Sequence, residues 1–279
     1  MDLPQLYAKY NELQKTDNIF VLDNFLDVSQ WQMEEETAFD IGCGDGKFLF
    51  EYLIPKLPNN FAKFVACDCS EKMIEFARKK YYLPKVDFVK FDVSSDEIPE
   101  EFENTFNHIY SFYTLHWVRR QRKAFKNIFN MLKPGGDILL CFIAKSTIYD
   151  IYESLSKYQQ WQQYSVKEYI SPYHHLQDPE NHLEKLLKKI GFEIKVCKLL
   201  QRSFLFPNME VFTNTITAVN PIIPKLPPDE VKTYLQDFMA EVKSHRKVIF
   251  ENLNNNNNND TVREFHKIFV VVAKKPLDA

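Results

Sequence analysis

Asp40-Ile41-Gly42-Cys43-Gly44-Asp45-Gly46 is the stretch on which the fold of this 279-residue chain turns. It follows a β-rich run, Thr37 to Ile41, and precedes a helical pattern from Lys47 to Leu57. Glycines between a strand and a helix let the backbone turn tightly and approach a ligand closely. A dinucleotide loop occupies the same position, but its spacing is G-x-G-x-x-G, whereas Gly42, Gly44 and Gly46 alternate. Asp40 and Asp45 would repel a phosphate and would welcome a cationic ligand.

Outward from the loop, short β-rich runs alternate with helical patterns, as in a parallel sheet with crossover helices. The further strand candidates are Lys63 to Cys67, Val86 to Phe91, His108 to Phe112, Asp137 to Ile143, Phe192 to Leu199 and Lys267 to Ala273. Ser70 to Tyr81 reads as a helix with Ser70 as its N-cap and Met73, Ile74 and Ala77 at helical spacing. Arg119 to Leu132 is another, stopped by Lys133-Pro134-Gly135-Gly136, a run expected neither to continue a helix nor to fill a strand. A third, Glu180 to Ile190, ends at Gly191.

Residues 144–179 and 205–262 are longer than connectors usually are and carry aromatics at helical spacing. They are expected to be helical lid insertions within a single domain spanning 1–279, with 1–30 as an N-terminal helical cap. The Asn254 to Asn259 tract reads as a disordered loop tip.

Bulk properties narrow the function. Hydrophobic residues at 45% and charged residues at 26% describe an ordinary globular chain. Its 24 Phe, 14 Tyr and 3 Trp exceed what a small core needs and leave room for an apolar pocket. A net charge of -3 supplies no basic surface for nucleic acid. The polar Met1-Asp2-Leu3-Pro4-Gln5 start lacks a signal-peptide core, and no run approaches the roughly 18 apolar residues of a membrane span. Cys43, Cys67, Cys69, Cys141 and Cys197 sit at strand-like apolar positions, which suits a reduced, cytoplasmic protein. Cys67-x-Cys69 is too tight for a zinc pair and has no second pair, so no metal is expected.

Ligands of open α/β sheets bind outside the carboxyl ends of the strands. Here those ends carry matching chemistry: Asp68, followed by Cys69, can accept from ribose hydroxyls. Asp92, followed by Val93, can take an adenine amino group, and Ser111-Phe112 ends the fourth strand. The amino group and sulfonium of S-adenosylmethionine suit the acidic loop formed by Asp40, Gly42, Cys43, Gly44 and Gly46. The loop, Asp68, Asp92 and Lys133-Pro134-Gly135-Gly136-Asp137 resemble the successive motifs of the class I methyltransferases. That resemblance implies a Rossmann-like, seven-stranded, mostly parallel α/β sheet with helices on both faces. Its last strand would be antiparallel and inserted beside the fifth.

The acceptor must be read elsewhere. Tyr7, Tyr10, Asn11 and Leu13-Gln14-Lys15 look like one amphipathic helix, and Ser111-Phe112-Tyr113-Thr114-Leu115-His116-Trp117 follows the fourth strand. These stretches, with Ala124-Phe125-x-Asn127-Ile128-Phe129, Ile170-Ser171-Pro172-Tyr173-His174 and Ala218-Val219-Asn220-Pro221, resemble the insect juvenile hormone acid methyltransferases. The resemblance runs through most of the chain. It implies methylation of the carboxylate of juvenile hormone acid or farnesoic acid, with S-adenosylhomocysteine as the second product.

Gln14 and Trp117 would then hold the carboxylate, with His116 either assisting or structural. Tyr7, Tyr10, Phe112, Tyr113 and Trp161 would line the terpenoid pocket. The same residue types have ordinary uses: Gln14 facing solvent, Trp117 in the core, His116 packed or capping. Two other readings stay open, a methyltransferase for another small acid and a paralogue that binds without turnover. A monomer or a homodimer is equally compatible with the sequence.

Overall fold

The computed structural model describes residues 3–28, 31, 35–245, 249–251 and 261–279. Its sheet begins where the apolar, β-branched runs predict. β1 (Thr37–Ile41), β2 (Lys63–Asp68), β3 (Val86–Lys90), β4 (Phe106–Phe112) and β5 (Leu132–Ser146) are parallel. β6 (Glu193–Phe206), β7 (Ile249–Glu251) and β8 (Thr261–Lys274) complete the sheet. Seven of these strands follow one path, β3-β2-β1-β4-β5-β8-β6, with β8 antiparallel to both neighbours and the short β7 pairing with β8.

Alternation along β1 puts Phe39 and Ile41 into one apolar layer and Ala38 into the other. α4 (Gln121–Met131) and α6 (Pro179–Ile190) cover the first layer through Phe125, Ile128, Leu183 and Leu187. α2 (Glu12–Phe25) and α3 (Glu71–Lys80) cover the second through Val21, Leu22, Ile74 and Ala77. Ser70 caps α3 by accepting from the Met73 N–H at 3.4 Å. Gly191, at φ 122°, closes α6 in a backbone region that L side chains avoid.

Several expectations change. The amphipathic N-terminal stretch is two helices, α1 (Pro4–Lys9) and α2, broken at Tyr10-Asn11. The predicted Lys47 to Leu57 helix tightens and loosens instead, as a π segment at Leu49–Leu53 and a 3-10 turn at Ile54–Lys56. Pro55 lacks the N–H that a regular helix would aim at the Glu51 carbonyl. Lys133-Pro134-Gly135-Gly136 lies inside β5, as a bulge between the pairs Leu132↔Phe106 and Asp137↔His108. The Gly135 N–H donates to the Lys275 carbonyl at 2.9 Å and the Lys275 N–H to the Gly136 carbonyl at 2.8 Å, so the run is held. Cys69 is exposed, because it lies past the end of β2.

The two long insertions share one core. α5 (Thr147–Leu155), α7 (Met209–Val219) and α8 (Val231–Ser244) bring Tyr149, Tyr152, Phe212, Ile216, Tyr234 and Phe238 into a single cluster. The asparagine tract lies outside the described residues. Among the described residues no helix is long and apolar enough to cross a membrane.

Candidate active site

Three adjoining hollows open at the carboxyl ends of the parallel strands. A cleft of about 1280 Å³ is lined by Gly42, Gly44, Asp68, Cys69, Asp92, Val93 and Phe112. A smaller polar pocket beside it is lined by Asp40, Cys43, Asp45, Gln14 and Asn18. An apolar cavity lies under the insertions and is lined by Gln14, Tyr113, His116, Trp117, Phe206 and Phe212, among others. Tyr7 lines all three, Gln14 joins the polar pocket to the cavity, and Trp117 joins the cavity to the cleft.

The glycine loop is shaped by its neighbours. Gly42 and Cys43 donate their N–H groups to the Cys67 carbonyl at 2.7 and 2.8 Å, which ties the loop to the end of β2. Gly42 has φ 78°, and a Cβ there would lie 2.0 Å from Thr114 Oγ1, so a side chain is excluded by space as well as strain. Gly44 has φ 56°, and a Cβ there would lie 3.6 Å from the Tyr7 ring. Its N–H donates to Asp68 Oδ2 at 3.1 Å, while Asp68 Oδ1 accepts from the Ser70 N–H at 2.8 Å. Asp92 is exposed and accepts from the Ser94 N–H and hydroxyl, both at 2.8 Å.

Electrostatics favour a cation. Burial, with the charge of Asp68 second, pushes the Asp40 carboxyl up to about 7. Asp45 is also raised by burial, and its Oδ2 has no hydrogen-bond partner among the described residues. Asn18 Oδ1 and Gln14 Oε1 are likewise buried and unpartnered. Acceptor atoms left in this state suit a ligand that brings N–H donors and positive charge. The amino group and sulfonium of S-adenosylmethionine meet that demand, and the cleft past Asp68 and Asp92 offers acceptors for a ribose and an adenine. A phosphate would not fit the polar pocket.

Not every predicted residue reaches a hollow. Ser111 is fully buried and donates its hydroxyl to the Ile41 carbonyl at 3.0 Å, so it ties β4 to β1. Gly46 backs onto Ala77, Tyr81 and Phe88, where a Cβ would lie 3.1–3.3 Å from them. Trp161 sits in the core shared by the two insertions, edge-on to Tyr234 with centroids 5.2 Å apart, and donates its indole N–H to Asp237 at 2.9 Å. Tyr10 lies at the break between α1 and α2, with the Lys9 ammonium 5.0 Å from its ring centre, and is not in the cavity lining. His116 is buried and its pKa falls to about 3, because burial penalises the imidazolium. Neutral at any ordinary pH, it accepts the Ile143 N–H at 3.4 Å and lies beside Trp117 with centroids 5.0 Å apart.

Sequence reading missed a charged group at the cavity wall. Asp17 Oδ1 accepts from Arg202 Nε at 2.8 Å, and Asp17 Oδ2 meets His266 Nε2 at 2.6 Å and the Tyr113 hydroxyl at 2.5 Å. His266 Nδ1 reaches Glu264 Oε2 at 2.7 Å. Burial works against the imidazolium, but the two carboxylates outweigh it and raise His266 to about 10. The signals were faint. Asp17 and Asn18 stand three and four residues beyond Gln14, on one helix face, and Glu264 and His266 share one side of a strand. Among the described residues, Glu153, His174 and His175 place possible metal-ligand atoms within 4.8 Å of one another, but none of the three lines a hollow.

The fold recurs in solved structures at low sequence identity. The YcgJ protein of Bacillus subtilis superposes with a TM-score of 0.59 at 13% identity, over 92% of this chain and 98% of that one. The cyclase SpnF reaches 0.56 at 15% identity, over 94% and 82%. These likenesses speak for the fold alone. Residues 13–195 match the methyltransferase domain family, and with the acidic glycine loop they define an S-adenosylmethionine-dependent methyltransferase. The chain is 34% identical to the juvenile hormone acid O-methyltransferase of Bombyx mori, over 99% of this chain and 98% of the relative. It is 31% identical to the enzyme of that name from Drosophila melanogaster, over 99% and 93%. The chain belongs to the juvenile hormone acid O-methyltransferase family.

Proposed function

We propose that the protein esterifies the carboxylate of a long apolar acid, juvenile hormone acid or farnesoic acid, at the meeting point of the three hollows. The observation that carries this is the apolar cavity joined to an acidic, cation-seeking pocket through Tyr7 and Gln14, and to the cleft through Tyr7 and Trp117. A sesquiterpenoid chain suits a cavity walled by Leu13, Ile143, Phe206, Phe212 and Ile216, because its lining is predominantly apolar. The helices over residues 144–179 and 205–262 act as its lid.

When bound, the donor supplies an electrophilic methyl group on a sulfonium. A carboxylic acid with a pKa of about 4 to 5 is already ionised near neutrality, so its oxygen needs no base. That agrees with a neutral His116, which holds no proton to give and little tendency to take one. The protein's task is positioning. The Gln14 amide and the Trp117 indole N–H hold one carboxylate oxygen and leave the other aimed at the methyl group. Asp40, Asp45 and Asn18 receive the donor's amino group, and Asp68 and Asp92 its ribose and adenine. The apolar lining of the cavity offers the carboxylate little replacement for bound water beyond the Gln14 and Trp117 N–H groups.

The test is a panel of acids, including farnesoic acid, juvenile hormone acid and shorter fatty acids, assayed with methyl-labelled donor. Methyl ester from the sesquiterpenoid acids above the shorter ones is expected. Absence of ester from all of them, with donor binding intact, would refute the reading.

A further inference from the structure

The apolar cavity carries several polar side chains, and those of its charged wall are paired. The Ser146 hydroxyl donates to Glu264 Oε1 at 3.0 Å, and Glu264 and Asp17 hold the two nitrogens of His266. The Tyr149 hydroxyl differs. It is buried on the cavity wall and has no hydrogen-bond partner among the described residues. Buried hydroxyls in that condition are uncommon, because they give up their bonds to water and gain none in return.

The ring is firmly held, so the orphaned atom is not a loose end. Tyr149 lies in the first turn of α5, which Ser146 caps by accepting the Ile148 N–H at 3.1 Å. Its ring meets His174 edge to face with centroids 5.3 Å apart. It lines the apolar cavity and neither the donor cleft nor the polar pocket, so its partner belongs to the acceptor's chain and not to the reacting carboxylate. Burial, and then the charge of Glu264, push the phenol pKa up, so the hydroxyl keeps its proton as a donor. A second anion beside Glu264 would be repelled, which leaves an uncharged oxygen as the matching group.

We propose that the Tyr149 hydroxyl donates a hydrogen bond to an ether- or epoxide-type oxygen on the acceptor's apolar chain, selecting oxygenated acids over purely hydrocarbon-chained ones. This rests on the carboxyl-methylation reading above and adds a specificity-determining residue to it.

Farnesoic acid and its terminal epoxide share one carbon skeleton and separate the two ideas. The wild-type protein and Tyr149→Phe are compared for ester formation from each acid. A single neutral hydrogen bond predicts a wild-type preference for the epoxide of roughly threefold to tenfold in kcat/KM. Tyr149→Phe should bring that ratio close to one, mainly through a higher KM for the epoxide. A ratio that Tyr149→Phe leaves unaltered overturns the assignment while carboxyl methylation stands. No ester from either acid overturns both. Since phenylalanine removes only an unpartnered hydroxyl, the free variant should melt at or above the wild-type Tm; a lower Tm would reveal a structural bond and count against the proposal.

Discussion

At the amino-terminal end of the parallel strands, His108 has both ring nitrogens bonded, to Glu36 at 3.1 Å and Asp137 at 3.0 Å. Trp31 stacks on the ring with centroids 4.2 Å apart. At the carboxyl end, Asp45 Oδ2, Asn18 Oδ1 and Gln14 Oε1 are equally buried but unpartnered among the described residues. Both ends bury polar atoms; they differ in whether the protein supplies the partners. Where it does, the group holds the sheet together. Where it does not, the unmet hydrogen bonds mark the space a ligand fills.

The contrast can be broken most forcefully at its paired end. His108→Ala removes the ring from between two buried carboxylates and should cost about 3–5 kcal/mol of unfolding free energy. Donor affinity, measured well below the lowered Tm, should hardly change. A stability loss under about 1 kcal/mol would show that the network is idle. At the open end, Trp117→Ala should lower turnover by about 100-fold, the scale of a lost positioning contact, and affect donor affinity far less. Turnover left intact would dismiss the carboxylate clamp.

The smallest effect is a pH dependence. The Asp40 carboxyl at about 7 is partly protonated in the free protein, whereas a cationic donor favours the carboxylate. Donor affinity should therefore rise by about tenfold from pH 6 to pH 8 and level off in Asp40→Asn. The stability effect has the opposite direction. A carboxyl raised above its ordinary 3.8 stabilises the fold at low pH, and that stability is lost as pH rises through about 7. Free Asp40→Asn should then melt above wild type at pH 8. A flat affinity profile in the wild type would contradict this.

The sequence displays the open end better than the paired one. Glycines at alternating positions and aspartates at strand ends are local signals, so the sequence by itself places Gly42, Gly44, Asp68 and Asp92 in one crevice, where the structure has them. Family resemblance, not periodicity, singled out Gln14 and Trp117. The His266 to Asp17 contact joins residues 249 apart, and no local pattern encodes it. Trp161 shows the converse failure: an aromatic in an insertion reads the same whether it faces a ligand or the core that the insertions share. Strand limits slipped for a similar reason. β5 runs through a Pro-Gly-Gly bulge that would end an isolated strand, because Lys275 and Phe106 pair on either side of it.

β8 lies between β5 and β6, which pair with it and not with each other. During synthesis from the N-terminus the first five strands can gather as they emerge, but β6 has no edge to join until Thr261–Lys274 has been made. The nascent protein must hold a 14-residue strand and the helices that follow it off the sheet for that interval. Glu264 and His266 arrive on the same late strand, so the apolar cavity acquires its charged wall only as the sheet is completed. A ribosome stall or a frameshift ahead of β8 would leave the glycine-loop cleft nearly complete but the apolar cavity beside it without Glu264 and His266.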